Sequence, residues 1–323
     1  MKTPSSPRLV LRRLFFSLLL LLLQLTVKVA SAQPTAHAGM LPSVTTSDGV
    51  QLYVRVAGEG QPCVFVHGGP GAGCEAIETL AGPMLEQQFR MIYLDQRGSG
   101  RSASAPTKDY ALPRLVQDLE DLRQQLHLEK WVLMSHSFGG LIATAYARKY
   151  PQRVLGLVLV NSILNLPASM ESMATQGYEL LPAASRPPLD ATAPLPQRFE
   201  MVLALLNQQH LMGRLMYSQD STAARLARVH PAQPANHDFA ASLYSPGVIN
   251  GYLEDLAVAS SRLPMPVLVL PGQVDNVTGP QYQSFHFQHQ RVVLMPGKHY
   301  ALLENPREVS QALATFVRQL PHR

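Results

Sequence analysis

The sequence predicts an α/β fold, with a mostly parallel sheet flanked by helices and a helical cap inserted into it. Three observations carry this. Short apolar runs alternate with longer segments of helical periodicity over residues 33–162 and again over 263–323. The run from Val154 to Val160 carries no polar side chain, as in a strand covered on both faces. Between about 163 and 262 the alternation stops, which marks an inserted segment.

Taken in order, residues 43–60 read as two strands joined at Ser47-Asp48-Gly49, and Cys63 to Val66 as the strand that follows. A helical stretch covers about Ala76 to Gln88, and Met91 to Leu94 is a strand. Leu112, Leu115, Leu119, Leu122 and Leu126 recur at helical spacing, opposite a charged face. Trp131 to Met134 is apolar and leads into a turn, after which Leu141 to Tyr150 is helical. In the inserted segment Arg198 to Tyr217 and Gly247 to Leu263 look helical, and the proline-rich stretch Leu181 to Gln197 reads as irregular. Pro266 to Leu270 and Arg291 to Met295 are strands, and Pro306 to Leu320 is the last helix.

Ser137 stands at the apex of a strand, sharp turn and helix. The turn crowds the backbone, so its flanks must be small: Ser135 takes the place of the usual first glycine of G-x-S-x-G, and Gly139 fits the second. A serine hydroxyl needs a base to remove its proton, and the base needs an acid to orient it. Two later strands end in such residues, at Asp275 and at His299. Asp275 beside Asn276 also suits a plain turn. The chain order and strand-end placement assign Ser137 as nucleophile, His299 as general base and acid, and Asp275 as the orienting acid. The segment His67-Gly68-Gly69-Pro70-Gly71 ends another strand, and its glycines leave backbone N–H groups open toward the site. Gly68 or Gly69, together with Phe138, supplies an oxyanion hole, each donor contributing about 3 kcal/mol to the transition state.

HGGPG at 67–71, Asp95-Gln96-Arg97-Gly98-Ser99-Gly100-Arg101-Ser102, and the surroundings of Ser137, Asp275 and His299 together resemble the proline iminopeptidase (prolyl aminopeptidase) group of α/β-hydrolases. The resemblance covers about 43–162 and 264–319. It implies the α/β-hydrolase fold with a helical cap at 163–262, and a peptidase that removes an N-terminal residue. Two features depart from the group. Phe138 stands where members often carry tryptophan, and the Trp-x-x-Trp-Glu cap motif, whose glutamate helps hold the substrate amine, is absent: the one tryptophan is Trp131. In its place Glu200 and Glu254 are the candidate substrate-binding acids, from position alone. The missing motif favours an esterase or other small-molecule acyl hydrolase, and the fold alone also admits a non-catalytic binding protein.

Residues 1–32 read as a secretory signal. Lys2, Arg8, Arg12 and Arg13 precede the apolar run Leu14 to Val27, and Ala30-Ser31-Ala32 is a cleavage pattern that leaves Gln33 first. This implies a periplasmic or extracellular protein, by the ordinary or the twin-arginine route; uncleaved, the run is a membrane anchor. Five of the 27 basic residues and none of the 22 acids lie in this segment, so the rest is balanced at 22 of each. That gives no support for nucleic-acid binding or a polybasic membrane patch, and no nucleic-acid partner is expected.

Cys63 and Cys74 flank a strand and loop. Four strand residues span about 13 Å, beyond disulfide reach, so both are expected as free thiols. The chemistry calls for no cofactor and no metal; His286 and His289 lack the further ligands of a metal site. His67 is expected to order its loop, His136 to point away from Ser137, and Arg97 to pair with a local acid or carbonyls. Met170, Met173, Met201, Met212 and Met216 in the cap are either packing residues or the lining of an adaptable apolar pocket. The partner implied is a small-molecule or short-peptide substrate.

Overall fold

The structure, a computed structural model, describes residues 44–188, 190, 192–229 and 235–321. The proposed signal and its cleavage site lie outside them. Among the described residues no helix is long and apolar enough to cross a membrane.

Strands β1 (Val44–Thr45) and β2 (Gln51–Leu52) form a hairpin across Ser47–Gly49, as the turn residues predict. The second strand anticipated there then breaks, and β3 (Val54–Ala57) joins the main sheet. That sheet continues with β4 (Pro62–Val66), β5 (Arg90–Leu94), β6 (Trp131–His136), β7 (Val154–Val160), β8 (Val267–Leu270) and β9 (Gln290–Val292). Its order is β3-β5-β4-β6-β7-β8-β9, with β3 antiparallel to β5 and every other pairing parallel. The last strand stops at Val292, short of Met295, which makes only an isolated bridge to Gly272.

Helices α1 (Glu75–Leu80) and α2 (Gly82–Leu85) stand where one helix was expected. Gly82-Pro83 interrupts the run, because proline cannot donate back into the preceding turn. Helix α3 (Leu112–Gln125) and the elbow helix α4 (Gly139–Lys149) follow. The cap holds α5 (Leu166–Leu180), α6 (Leu195–Gln208), α7 (Met212–Met216), α8 (Asp220–Ala227), α9 (Asp238–Leu243), α10 (Pro246–Ile249) and α11 (Leu256–Ala259). The expected helix 198–217 is thus two helices, broken beside His210 in the left-handed region (φ 56°). The expected helix 247–263 is a series of short turns, because Gly247 and Asn250-Gly251 are poor helix formers. Helices α12 (Ala301–Glu304) and α13 (Pro306–Val317) close the fold.

The core has two layers, one on each face of the sheet. Alternate strand residues face opposite ways. Val64, Val66, Leu133, Leu157 and Leu159 pack against α3 and α4 through Leu119, Ile142 and Tyr146. Cys63, Phe65, Met134 and Val158 pack against α2 and α13 through Leu85, Leu313 and Phe316. Both cysteines are buried free thiols.

Candidate active site

Ser137 lies between β6 and α4 with φ 53°, in the left-handed region that a residue other than glycine adopts only when its surroundings hold it there. Its N–H donates to the Asn161 carbonyl (3.1 Å), and its own carbonyl accepts from Gly140 and Ile163 (2.9 Å each). The glycine that follows is sterically required: a Cβ at Gly139 would sit 2.1 Å from the Val66 carbonyl oxygen. Position 135 is looser. The Ser135 hydroxyl pairs with that of Ser162 on the neighbouring strand end (2.9 Å), so a serine is accommodated where glycine is usual.

His299 and Asp275 come together as expected. The imidazole Nδ1 is 2.9 and 3.1 Å from the two Asp275 carboxylate oxygens. A carboxylate only accepts, so Nδ1 carries the proton and Nε2 is left basic. Burial alone would raise the Asp275 pKa. The charge and hydrogen bond of His299, with donation from Asn161 and Thr278, outweigh it and hold the carboxyl below the usual carboxylate range. Ser137 and His299 line the same cavity.

Gly68, Gly69 and Phe138 also line that cavity. A Cβ at Gly68 would lie 2.7 Å from Cβ of Ser137, so only glycine lets this loop approach the serine. Phe138 precedes the first turn of α4, where N–H groups have no intrahelical acceptor and the helix dipole favours negative charge. His67 orders the loop: its Nδ1–H donates to the Gly68 carbonyl (2.8 Å), and its Nε2 accepts from the Gln96 N–H (2.9 Å).

The 95–102 segment sits beneath the site. Asp95 accepts from the N–H groups of Cys74 (2.6 Å) and Arg101 (2.9 Å) and from Arg101 Nε (2.7 Å). Arg97 is fully buried and pairs bidentately with Asp118 (2.5 and 2.6 Å) and with Asp48 (2.8 and 2.9 Å). Gly98 and Gly100 carry backbone hydrogen bonds from the cap at Phe239 and Asn236.

Two residues escaped the sequence reading. Asn161, at the end of β7, donates to Asp275 (2.8 Å) and to the Lys298 carbonyl (3.0 Å), which ties the acid to the histidine loop. His136 does not turn away as expected. Its ring lies 4.8 Å from that of His299 and lines the same cavity as Ser137. At the strand end the backbone bends into the elbow, so strand alternation no longer sets the direction of the side chain.

The cavity measures about 300 Å³ and is roofed by the cap. Met170, Met173, Met212 and Met216 line it with Leu166 and Phe199; Met201 does not. Glu200 and Glu254 are not brought to it. Glu200 is exposed, and Glu254 forms a surface ion pair with Arg148 (2.8 Å). Glu200 is on the outward face of α6, and Glu254 lies in the bend before α11, at the surface.

A parallel sheet with an elbow serine, and an acid and a histidine beyond its later strands, defines a hydrolase of the α/β class. The family described as alpha/beta hydrolase fold matches residues 61–306, and the chain belongs to it. Within it the chain is proline iminopeptidase-like. It is 26% identical over 291 residues to the proline iminopeptidase of Saccharolobus solfataricus, covering 84% of this chain and 90% of that one. The crystal structure of a proline iminopeptidase-related protein from Thermus thermophilus superposes with a TM-score of 0.69 at 25% identity, covering 88% and 97%. An esterase from Exiguobacterium antarcticum shares the fold, with a TM-score of 0.64 at 20% identity over 86% and 99%.

Proposed function

We propose that this chain is a serine hydrolase of uncharged, apolar acyl compounds, esters above all, acting through an acyl-enzyme on Ser137. One observation carries the choice of substrate. Among the described residues no Asp, Glu, Lys or Arg lines the cavity. The residues outside the description add no acid, since none of them is Asp or Glu. An ammonium group entering this cavity would lose its hydration and meet no carboxylate, whereas an alkyl or aryl acyl group would meet methionine and leucine.

In this reading the Ser137 Oγ attacks the acyl carbon and its proton passes to His299 Nε2. The carbonyl π electrons move onto oxygen, where the N–H groups of Phe138 and the Gly68–Gly69 loop stabilise the charge. As that oxygen reforms its double bond, the bond to the leaving group breaks, and the leaving group takes the proton from His299. Water, deprotonated by His299, repeats the sequence, releases the acid and restores Ser137. Asp275 holds the imidazole in the required tautomer throughout.

The curated relatives named as proline iminopeptidases favour a second reading, an aminopeptidase. Rates on a short-chain aryl ester and on a prolyl arylamide with a free amine separate the two, with Ser137→Ala as control. Ester cleavage that is lost in the control, without aminoacyl cleavage, is the expected result. Faster prolyl cleavage, abolished by acetylating the amine, replaces the esterase reading with the aminopeptidase one. A Ser137 that resists a fluorophosphonate argues for a binding protein instead.

The leader at 1–32 supports a further proposal, export to the periplasm or beyond. N-terminal sequencing of the protein from the producing cell tests it, with Gln33 as the expected first residue.

A further inference from the structure

We propose that the cap stretch 216–222, held by Glu304, is a positioning element for His299 that couples its placement to occupancy of the acyl cavity. This rests on the reading of Ser137 and His299 as nucleophile and base.

The backbone around His299 is gripped from two sides. From the core, Asn161 donates to the Lys298 carbonyl (3.0 Å) and His136 Nε2 to the His299 carbonyl (2.8 Å). From the cap, the Met216 carbonyl accepts the His299 N–H (3.0 Å), and the Ser218 hydroxyl oxygen accepts the Lys298 N–H (2.8 Å). The Lys298 ammonium also donates to the Arg214 carbonyl. The two N–H groups of Lys298 and His299 therefore depend on a short piece of cap, and the two carbonyls on the core.

That piece of cap is fastened by one carboxylate. Glu304, at the end of α12, accepts at Oε1 from the Ser218 N–H (2.9 Å), the Gln219 N–H (3.2 Å) and the Thr222 hydroxyl (3.0 Å). Charge-assisted bonds to a shared oxygen at the start of α8 make a strong anchor. The close fit also constrains position 297. A Cβ on Gly297, which has φ 90°, would lie 2.5 Å from the Ser218 Oγ.

The same stretch faces the cavity. Met216, its first residue, lines the cavity, as do Met212 and Leu215 in the helix that leads into it. Met216 thus touches the space for the acyl group with its side chain and holds His299 with its carbonyl. An acyl chain that fills the cavity braces the stretch; with a short one that brace is missing and more of the support falls to Glu304. Displacing a base by about 1 Å costs on the order of 10²-fold in rate.

The test measures kcat and KM on an aryl acetate and an aryl hexanoate for wild type, Glu304→Ala, Glu304→Gln and Ser218→Ala, with the exposed Glu308→Ala as control. For Glu304→Ala and Ser218→Ala, kcat on the acetate should fall about 10-fold to 10²-fold. Their KM should stay within about two-fold of wild type. The loss should be smaller on the hexanoate, and Glu304→Gln, which keeps an acceptor oxygen, should recover most of it. Unchanged kcat, or equal losses on both esters, overturns the proposal. Amide hydrogen exchange at Lys298 and His299 decides separately. Faster exchange in Glu304→Ala supports the anchor, and unaltered exchange overturns it. Should wild type fail to label at Ser137 with a fluorophosphonate, the hydrolase reading falls, and exchange still judges the anchor.

Discussion

His136 donates its Nε2–H to the main-chain carbonyl of His299 across 2.8 Å. A carbonyl can only accept, so the bond fixes the His136 tautomer and leaves Nδ1 bare. Burial, with the neighbouring His299 adding to it, lowers the His136 pKa to about 3. The residue just before the serine is thus a neutral strut beneath the residue that serves it.

This strut makes the fold sensitive to acid. Unfolded, His136 titrates near 6.5; folded, near 3. Over that window the unfolded chain binds more protons, so the contribution of the neutral ring is intact above pH 6.5 and declines as pH falls toward 3. His67, lowered by burial, acts in the same direction. Asp275 adds a loss only at lower pH, as its depressed carboxyl is protonated. Between about pH 7.5 and pH 5, wild type should lose roughly 1–2 kcal/mol more than His136→Gln in urea unfolding.

The acid that orients His299 should matter more to rate than to folding. Asp275→Asn should lower kcat about 10³-fold to 10⁴-fold by favouring the wrong tautomer. Asn161→Ala leaves Asp275 in place but removes its tie to the histidine loop, and should cost about 10-fold to 10²-fold. Acylation rates from stopped-flow measurements on an aryl ester check both.

Arg97 should show the opposite pattern. Its guanidinium is fully buried between Asp118 and Asp48. Arg97→Ala leaves Asp118 buried without its main partner and should destabilise the fold by about 3–5 kcal/mol. Arg97→Lys should recover little, because a lysine cannot form two bidentate pairs. Chemical denaturation gives the loss, and kcat per labelled active site should stay at the wild-type value.

The cavity should set chain length. Met170→Trp, facing the space above Ser137, should shift the preferred aryl ester toward acetate and leave the rate on acetate within about three-fold. A series of acyl lengths gives the profile; an unmoved optimum would place the acyl group elsewhere.

Much of this site was legible because the fold puts chemistry at strand ends. Ser137, Asp275 and His299 each follow an apolar run, and such runs declare themselves in sequence. Asn161 also follows one, but a lone asparagine after a strand reads as an ordinary turn. Only the left-handed backbone (φ 44°) and the two bonds it enables reveal its task. The cap was harder. Helix α5 carries Pro167 and Gly177, residue types of low helix propensity. Pro167 sits in the first turn behind the Asn165 cap, a favoured place for proline. Gly177 is where Val202 and Leu206 of α6 come close, with a Cβ there only 2.8 Å from either. These contacts are tertiary, and no local pattern announces them.

The cavity without fixed charges has a consequence for how substrate arrives. Nothing in its walls among the described residues reaches out with a long-range field, and from residue 33 on the sequence carries basic and acidic residues in equal number. Encounter then relies on diffusion and on transfer of apolar surface out of water, neither of which needs attraction at a distance. Sodium chloride from low to molar concentration shortens the screening length from about 30 Å to about 3 Å. For an uncharged ester, kcat/KM should stay nearly level across that whole range.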